Sequence, residues 1–306
     1  MPLVADALVP LTLLIALGIG LKRFGFLPDA AWAGLDRLNY WVLFPALIFV
    51  SLASERSGLP NALPIVASVW GGLTIVALLA WTLRRRLAPD GPAFTSVFQG
   101  AVRFNSYVAF LTVPVLHPDS EALTALLVAA TVPFVNVACV TALARYGGGA
   151  ALRKRGVLAK IVTNPLIVAS LLGIAAARID LALGPLEGSL QLLGQASLAT
   201  GLLAVGATLR LRSVRSGWRE VTASVALKVV ALPLATAMCG LAFGLPQEVL
   251  APLLLFQAMP TASASYVLAR AMRGDERLMA GILAVHTLAA LAWLPAVFVL
   301  VRWWLG

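Results

Sequence analysis

Long apolar runs, each near the length that crosses a bilayer and parted by short polar connections, dominate the chain. They fall at roughly 3–21, 33–53, 62–83, 94–116, 121–144, 157–177, 188–209, 219–243, 247–270 and 278–304. No stretch alternates with a period of two, and backbone in lipid must satisfy its own hydrogen bonds, so continuous runs predict helices. The expected fold is an all-α polytopic membrane protein with ten transmembrane helices. The first run reads as a retained span and not as a cleaved leader. No basic residue precedes it, Asp6 falls early within it, and Lys22-Arg23 follow it.

Charge adds an orientation. Seventeen of the 23 cations fall in or beside the odd-numbered connections. They are Lys22 and Arg23; Arg84, Arg85 and Arg86; Arg145, Arg153, Lys154, Arg155 and Lys160; Arg210, Arg212, Arg215 and Arg219; and Arg270, Arg273 and Arg277. The even connections carry Arg56 and Arg178. The positive-inside rule then makes the odd connections cytoplasmic and both termini extracytoplasmic, in a multi-pass protein of the cell (inner) membrane. Trp32, Trp81, Trp218, Trp303 and Trp304 lie near span ends, as interfacial anchors do. The net charge of +10 is on this reading a topology signal answered by lipid headgroups, with no nucleic acid as partner. Composition agrees: 60% hydrophobic and 12% charged residues, over 306 positions, leave no room for a soluble domain beside the spans. Cys139 and Cys239 sit inside apolar runs and do not read as a disulfide framework.

The chain also resembles itself. Val9-Pro10-Leu11 through Leu17-Gly18-Ile19 aligns with Asn164-Pro165-Leu166 through Leu172-Gly173-Ile174. Asn105 meets Thr261 and Asp119 meets Asp275 at nearly the same offset, about half the chain. This divides the chain into a first five-helix repeat at 1–146, a short cytoplasmic linker at 147–156 and a second repeat at 157–306. Five is odd, so the second repeat enters the membrane inverted, the architecture of alternating-access transporters with a site near the midplane.

Enzyme chemistry finds no footing: there is no phosphate-binding glycine loop and no metal-ligand spacing. The chain reads as a non-enzyme with neither cofactor nor metal. Depth is more telling. All 13 acidic residues fall in connections or in the first turn or so of a span. Arg103 and Lys228 instead lie about nine residues into spans 4 and 8, on the order of 14 Å deep. A cation there costs at least ~2.5–3.5 kcal/mol. Either an anionic substrate answers it, or the long side chains snorkel to the cytoplasmic interface or bond backbone carbonyls.

Two breakpoints match. Met259-Pro260-Thr261-Ala262-Ser263 places a proline inside span 9, where Pro260 either kinks the helix or opens a new half-helix. In the second case the amides of Thr261, Ala262 and Ser263 point at an anion. In span 4, Arg103-Phe104-Asn105-Ser106 supplies Asn105 as a residue suited to cap a half-helix start. The candidate substrate-binding residues are therefore Arg103, Asn105, Ser106, Pro260, Thr261, Ala262, Ser263 and Lys228. Asn39, Asn136 and Gln195 either line a pathway or join helices. His286 is either a proton-linked group or a packed imidazole.

These residues resemble the auxin efflux carrier family, whose bacterial members include malonate and malate permease-like proteins. The likeness runs over the full length and rests on ordered pieces: Leu38-Asn39 through Phe44-Pro45-Ala46-Leu47, Arg103-Phe104-Asn105, Asn164-Pro165-Leu166, Ala204-Val205-Gly206-Ala207-Thr208-Leu209, and Met259-Pro260-Thr261-Ala262 through Tyr266-Val267-Leu268-Ala269-Arg270. The resemblance implies two inverted five-helix repeats with spans 4 and 9 broken and crossing at the substrate site. It also implies a scaffold of spans 1, 2, 6 and 7 and a mobile transport domain made of the rest. The family's span 4 asparagine falls on Asn105, its span 9 proline on Pro260 and its span 8 basic residue on Lys228. One departure is Thr112 where the auxin carriers place a proline, with Pro114 two residues on, which implies a less sharply unwound span 4. The expected function is secondary transport of a small organic anion, a mono- or dicarboxylate with auxin-like acids included, by an elevator-like or rocking mechanism. The partners are that anion and the bilayer, with a homodimer left open. The alternative is a cation- or proton-coupled exchanger, or a sodium symporter of bile-acid-carrier-like architecture.

Overall fold

The computed structural model describes residues 2–54, 62–148, 164–210 and 217–305. All secondary structure among them is helical: α1 Pro2–Arg23, α2 Asp29–Leu38, α3 Phe44–Ala53, α4 Ala62–Thr82, α5 Arg84–Leu87, α6 Gly91–Val102, α7 Ser106–Leu116 and α8 Glu121–Tyr146 in the first half. The second half holds α9 Pro165–Arg178, α10 Pro185–Thr208, α11 Trp218–Ala226, α12 Leu232–Ala242, α13 Gln247–Gln257, α14 Ala264–Ala271 and α15 Glu276–Leu305. Seven helices are long and apolar enough to cross a membrane, counting α2–α3 and α11–α12 as one each, and Pro165–Arg178 is a shorter apolar helix. The linker expected at 147–156, apart from Gly147 and Gly148, lies outside the described residues, as do Arg56, Arg153, Lys154, Arg155, Lys160, Arg212 and Arg215.

Proline placement explains most irregularities. Wide π-turns join α2 to α3 at Asn39–Leu43 and α11 to α12 at Leu227–Ala231. Each precedes a proline, Pro45 or Pro233, whose ring has no N–H to give and crowds the carbonyl four residues earlier. The chain widens instead, and the Phe44 and Leu232 amides donate to the carbonyls five residues back, at Asn39 and Leu227. Pro92 and Pro165 sit in first turns, where no amide is needed, behind the caps Asp90 and Asn164.

Spans 4 and 9, expected as apolar runs with a breakpoint, are each two helices. The interruption between α6 and α7 covers residues 103–105, and that between α13 and α14 covers 258–263. Pro114 sits inside α7 without ending it. Helix boundaries recur along the chain. Asp29 and Pro185, and Gly91 and Gln247, open helices 156 positions apart; Ala53 and Thr208, and Val102 and Gln257, close helices 155 apart.

Two readings of the first half need correction. The second helix starts at Asp29, behind Pro28, rather than near residue 33, so Asp36 lies two turns into it and not in its first turn. The same early start turns Trp32 inward; it is buried rather than an exposed interfacial anchor, whereas Trp218, Trp303 and Trp304 are exposed.

The chain forms two compact units. One comprises Met1–Ala62, Tyr107–Ala130 and Lys154–Thr208; the other comprises Leu63–Ser106, Thr131–Arg153 and Leu209–Gly306. In the first unit α1 lies against α10 at backbone distance. A Cβ on Gly18 would stand 2.2 Å from the Leu203 carbonyl oxygen, and one on Gly206 2.2 Å from that of Ile15. Small residues that let helices approach are the main route to packing where lipid removes the hydrophobic drive. In the second unit Gly72 meets Thr236 in the same way, joining α4 to α12.

Gly18→Ala should therefore lower thermal stability in detergent by about 1–3 kcal/mol. Gly20→Ala, at a glycine with nothing within 4 Å, should leave the melting temperature unchanged or slightly raised.

Candidate functional site

The two helix interruptions meet inside the second unit. Arg103 leaves the helix in an extended conformation (φ −77, ψ 151) while its amide still closes on the Gln99 carbonyl. Two residues on, the Asn105 amide donates to the Pro260 carbonyl oxygen at 2.7 Å. Asn105 directly precedes α7, the position expected for a cap. Pro260 differs from expectation. It does not open the next half-helix, because its carbonyl is drawn sideways to Asn105 and helix resumes only at Ala264. The Ser265 and Tyr266 amides turn back onto the Ala262 and Ser263 carbonyls, and the Thr261 and Ser265 hydroxyls are bonded at 3.1 Å. The Trp293 indole donates to the Ala258 carbonyl at 3.0 Å, taking up an acceptor that the end of α13 leaves open. The Phe104 and Phe256 rings pack with centroids 4.7 Å apart beside the meeting point.

Deep cations lie on the helices around this point. Arg103 is 7% exposed and does not snorkel; its guanidinium donates to the Asn136 side-chain oxygen at 2.9 Å. Cys139, one turn along α8 from Asn136, is wholly buried. Lys228 is 0% exposed, and its ammonium has no hydrogen-bond partner among the described residues. Its position as second residue of a π-turn sets it inward. His286 is wholly buried, pairs with the Ser224 hydroxyl at 3.1 Å and meets Trp293 edge-on. Gly100 lets these helices close up: a Cβ there would stand 2.1 Å from the Ser224 hydroxyl and 2.8 Å from Ile282. Neither Arg103 nor Lys228 makes an ion pair; among the described residues, pairs form at Lys22–Asp29 and Arg210–Glu276.

The sequence-derived candidates are thus partly gathered. Asn105 touches Pro260 and Arg103 touches Asn136. Thr261 is buried, while Ser106, Ala262 and Ser263 are half-buried around the interruptions. Asn39 belongs to the other unit, where it is hydrogen-bonded to Thr200 at 2.9 Å and joins two helices. Gln195 in α10 is exposed. Gln99, Cys139, Ser224 and Thr131 were not foreseen. Gln99 and Thr131 are 0% exposed, and neither the Gln99 amide group nor the Thr131 hydroxyl has a partner. The one hint was spacing, since Gln99 precedes Arg103 by a helical turn. No cluster among the described residues has the donors for a metal ion.

Helices alone among the described residues, seven of them long and apolar enough to cross a membrane, make this a multi-pass membrane protein. Residues 151–298 match the family described as membrane transport protein. A protein of Methanothermobacter thermautotrophicus described as an uncharacterized transporter is 26% identical over 298 residues, 95% of this chain and 96% of its own length. Both agree with the resemblance read from the motifs: the second half of the chain is similar to that family, and nearly the whole chain to that transporter.

An ammonium buried without partners burdens the fold. Lys228→Met, similar in volume and uncharged, should raise the melting temperature in detergent by the equivalent of about 1–4 kcal/mol. Asn136→Ala, which strips Arg103 of its partner, should lower it by roughly 1–3 kcal/mol.

Proposed function

We propose that the protein is a secondary transporter of a small organic anion, a mono- or dicarboxylate, which binds where the interruptions at 103–105 and 258–263 meet. The observation that carries this reading is Lys228, a cation removed from solvent with no carboxylate or other hydrogen-bond partner. In a water-poor interior such a group calls for a negative guest. Arg103 and Lys228 supply attraction. Asn105 and the unbonded amides of Thr261, Ala262 and Ser263 orient the carboxylate, whose lone pairs they match as donors. Among the described residues no backbone bond runs from those three amides, which favours the role.

The recurrence of helix boundaries supports ten passes arranged as two inverted repeats. The seven long helices, the short helix Pro165–Arg178 and the two interrupted pairs α6–α7 and α13–α14 together make that number. Access to the site alternates by an elevator-like or rocking exchange, as inverted repeats favour. With basic connections inward, both termini face outward from the cell membrane. The membrane potential, worth about 2.3 kcal/mol per charge per 100 mV, is then enough to drive an anion out without a coupling ion.

Proteoliposome flux of radiolabelled dicarboxylates and indole-type acids tests the reading. Arg103→Ala, Asn105→Ala and Lys228→Met should each cut flux tenfold or more, on the order of the loss of one charge-assisted contact. Undiminished flux in all three would refute the site, and ion flux without an organic substrate would favour the exchanger reading.

A further inference from the structure

A second place in the same unit has the makings of a binding site, at the ends of spans and at the opposite end of α6 from the interruption at 103–105. α4 ends at Thr82 and is followed at once by α5, the run Arg84-Arg85-Arg86-Leu87. α6 begins at Gly91 and α8 ends at Tyr146 beside it. A groove of about 230 Å³ opens there, lined by Arg84, Arg85, Ala88, Pro89, Asp90, Gly91, Phe94 and Tyr146.

The groove is built rather than incidental. Gly91 packs so tightly on the end of α8 that a Cβ would stand 2.5 Å from the Tyr146 carbonyl oxygen. The Tyr146 ring is gripped by Trp81 and Phe94 edge-on, with centroids 5.2 and 5.3 Å away. The Arg84 and Arg145 guanidinium groups stand over it at 5.9 and 5.8 Å. Arg84 is further tied to the Trp81 carbonyl at 3.1 Å. Asp90, the acid in the lining, spends its carboxylate on the start of α6, accepting from the Ala93 amide at 2.8 Å. Two guanidinium groups therefore face a small space with an apolar wall of Ala88, Pro89 and Phe94, at the depth where spans end and Trp and Tyr rings gather.

Guanidinium forks match the oxygens of a phosphate, and an apolar wall beside them suits a glycerol backbone and the first acyl carbons. We infer that this groove binds the phosphate group of an anionic phospholipid, with Arg84 and Arg85 holding the phosphate and Phe94 and Tyr146 flanking the glycerol. The site does not depend on what the protein transports.

The full chain in nanodiscs of phosphatidylcholine with increasing phosphatidylglycerol tests this, with retained lipid counted by native mass spectrometry and the melting temperature followed in parallel. The parent should hold phosphatidylglycerol preferentially and melt higher as its fraction rises. Arg84→Ala with Arg85→Ala should weaken that binding by about 25-fold, fivefold for each cation near a negative surface. Arg302→Ala, a cation elsewhere, should leave it unchanged. Arg84→Lys with Arg85→Lys keeps the charge and loses the fork, and should lie between the two. Parent-like binding in the lysine variant would overturn the inference, leaving only diffuse attraction to a charged surface. Stabilisation by glycerol phosphate in phosphatidylcholine discs, with no added effect of phosphatidylglycerol, would overturn the lipid as occupant. Anion flux through the parent is measured separately, so failure here leaves the transport reading standing, and failure there leaves this one.

Discussion

A positive charge in a water-poor interior has few ways to be tolerated: it can reach the interface, pair with an acid, lose its proton or receive an anion. Arg103 is buried and leans on the neutral oxygen of Asn136. Lys228 is buried more completely and leans on nothing. The helices around them are drawn in tightly, with Gly100 allowing Ser224 and Ile282 to close on α6. Much of the second unit is thus arranged around groups whose charge the protein itself does not answer. Such an arrangement is costly to the fold, and in the function proposed above a visiting anion would complete it.

Backbone plays an equal part. A helix crossing lipid normally spends every amide and carbonyl internally, and irregular backbone is tolerated where it is covered by protein. Both interruptions obey this rule, since each is sealed by the other through the Asn105–Pro260 bond and by the indole of Trp293. Proline supplies the irregularity in different ways. Pro260 lies within an opened segment, whereas Pro45 and Pro233 leave their helices continuous but widened by one residue, and Pro114 is absorbed inside α7. The widened turn before Pro233 carries Lys228, so one missing N–H also bears on where the cation sits.

The sequence was explicit about class and coarse architecture, because both follow from one-dimensional quantities. Apolar run length, the scarcity of carboxylates and the recurrence of motifs at half the chain length require no knowledge of contacts. Pro260 and Asn105 were legible as breakpoints for the same local reason, and the depth of Arg103 and Lys228 could be counted along their spans. Boundaries were less secure where a helix began in polar residues. Asp29 starts a helix that hydropathy alone dates from about residue 33, and Trp32 turns inward as a result.

Partners were beyond what the chain's order could state. Nothing in the spacing of Arg103 and Asn136, 33 residues apart, says that they bond, nor that Gln99 and Thr131 lie buried with polar atoms unanswered. Asn39 and Asn136 look alike in sequence, each a single asparagine in an apolar span. Packing alone separates them, giving one to Thr200 and the other to Arg103. The sequence by itself determined that this chain lives in a membrane, bends at matched points and keeps cations where lipid forbids them. Only the tertiary structure decided which side chains meet those cations, because hydrogen bonding depends on distances of a few ångströms between helices that the chain order does not encode.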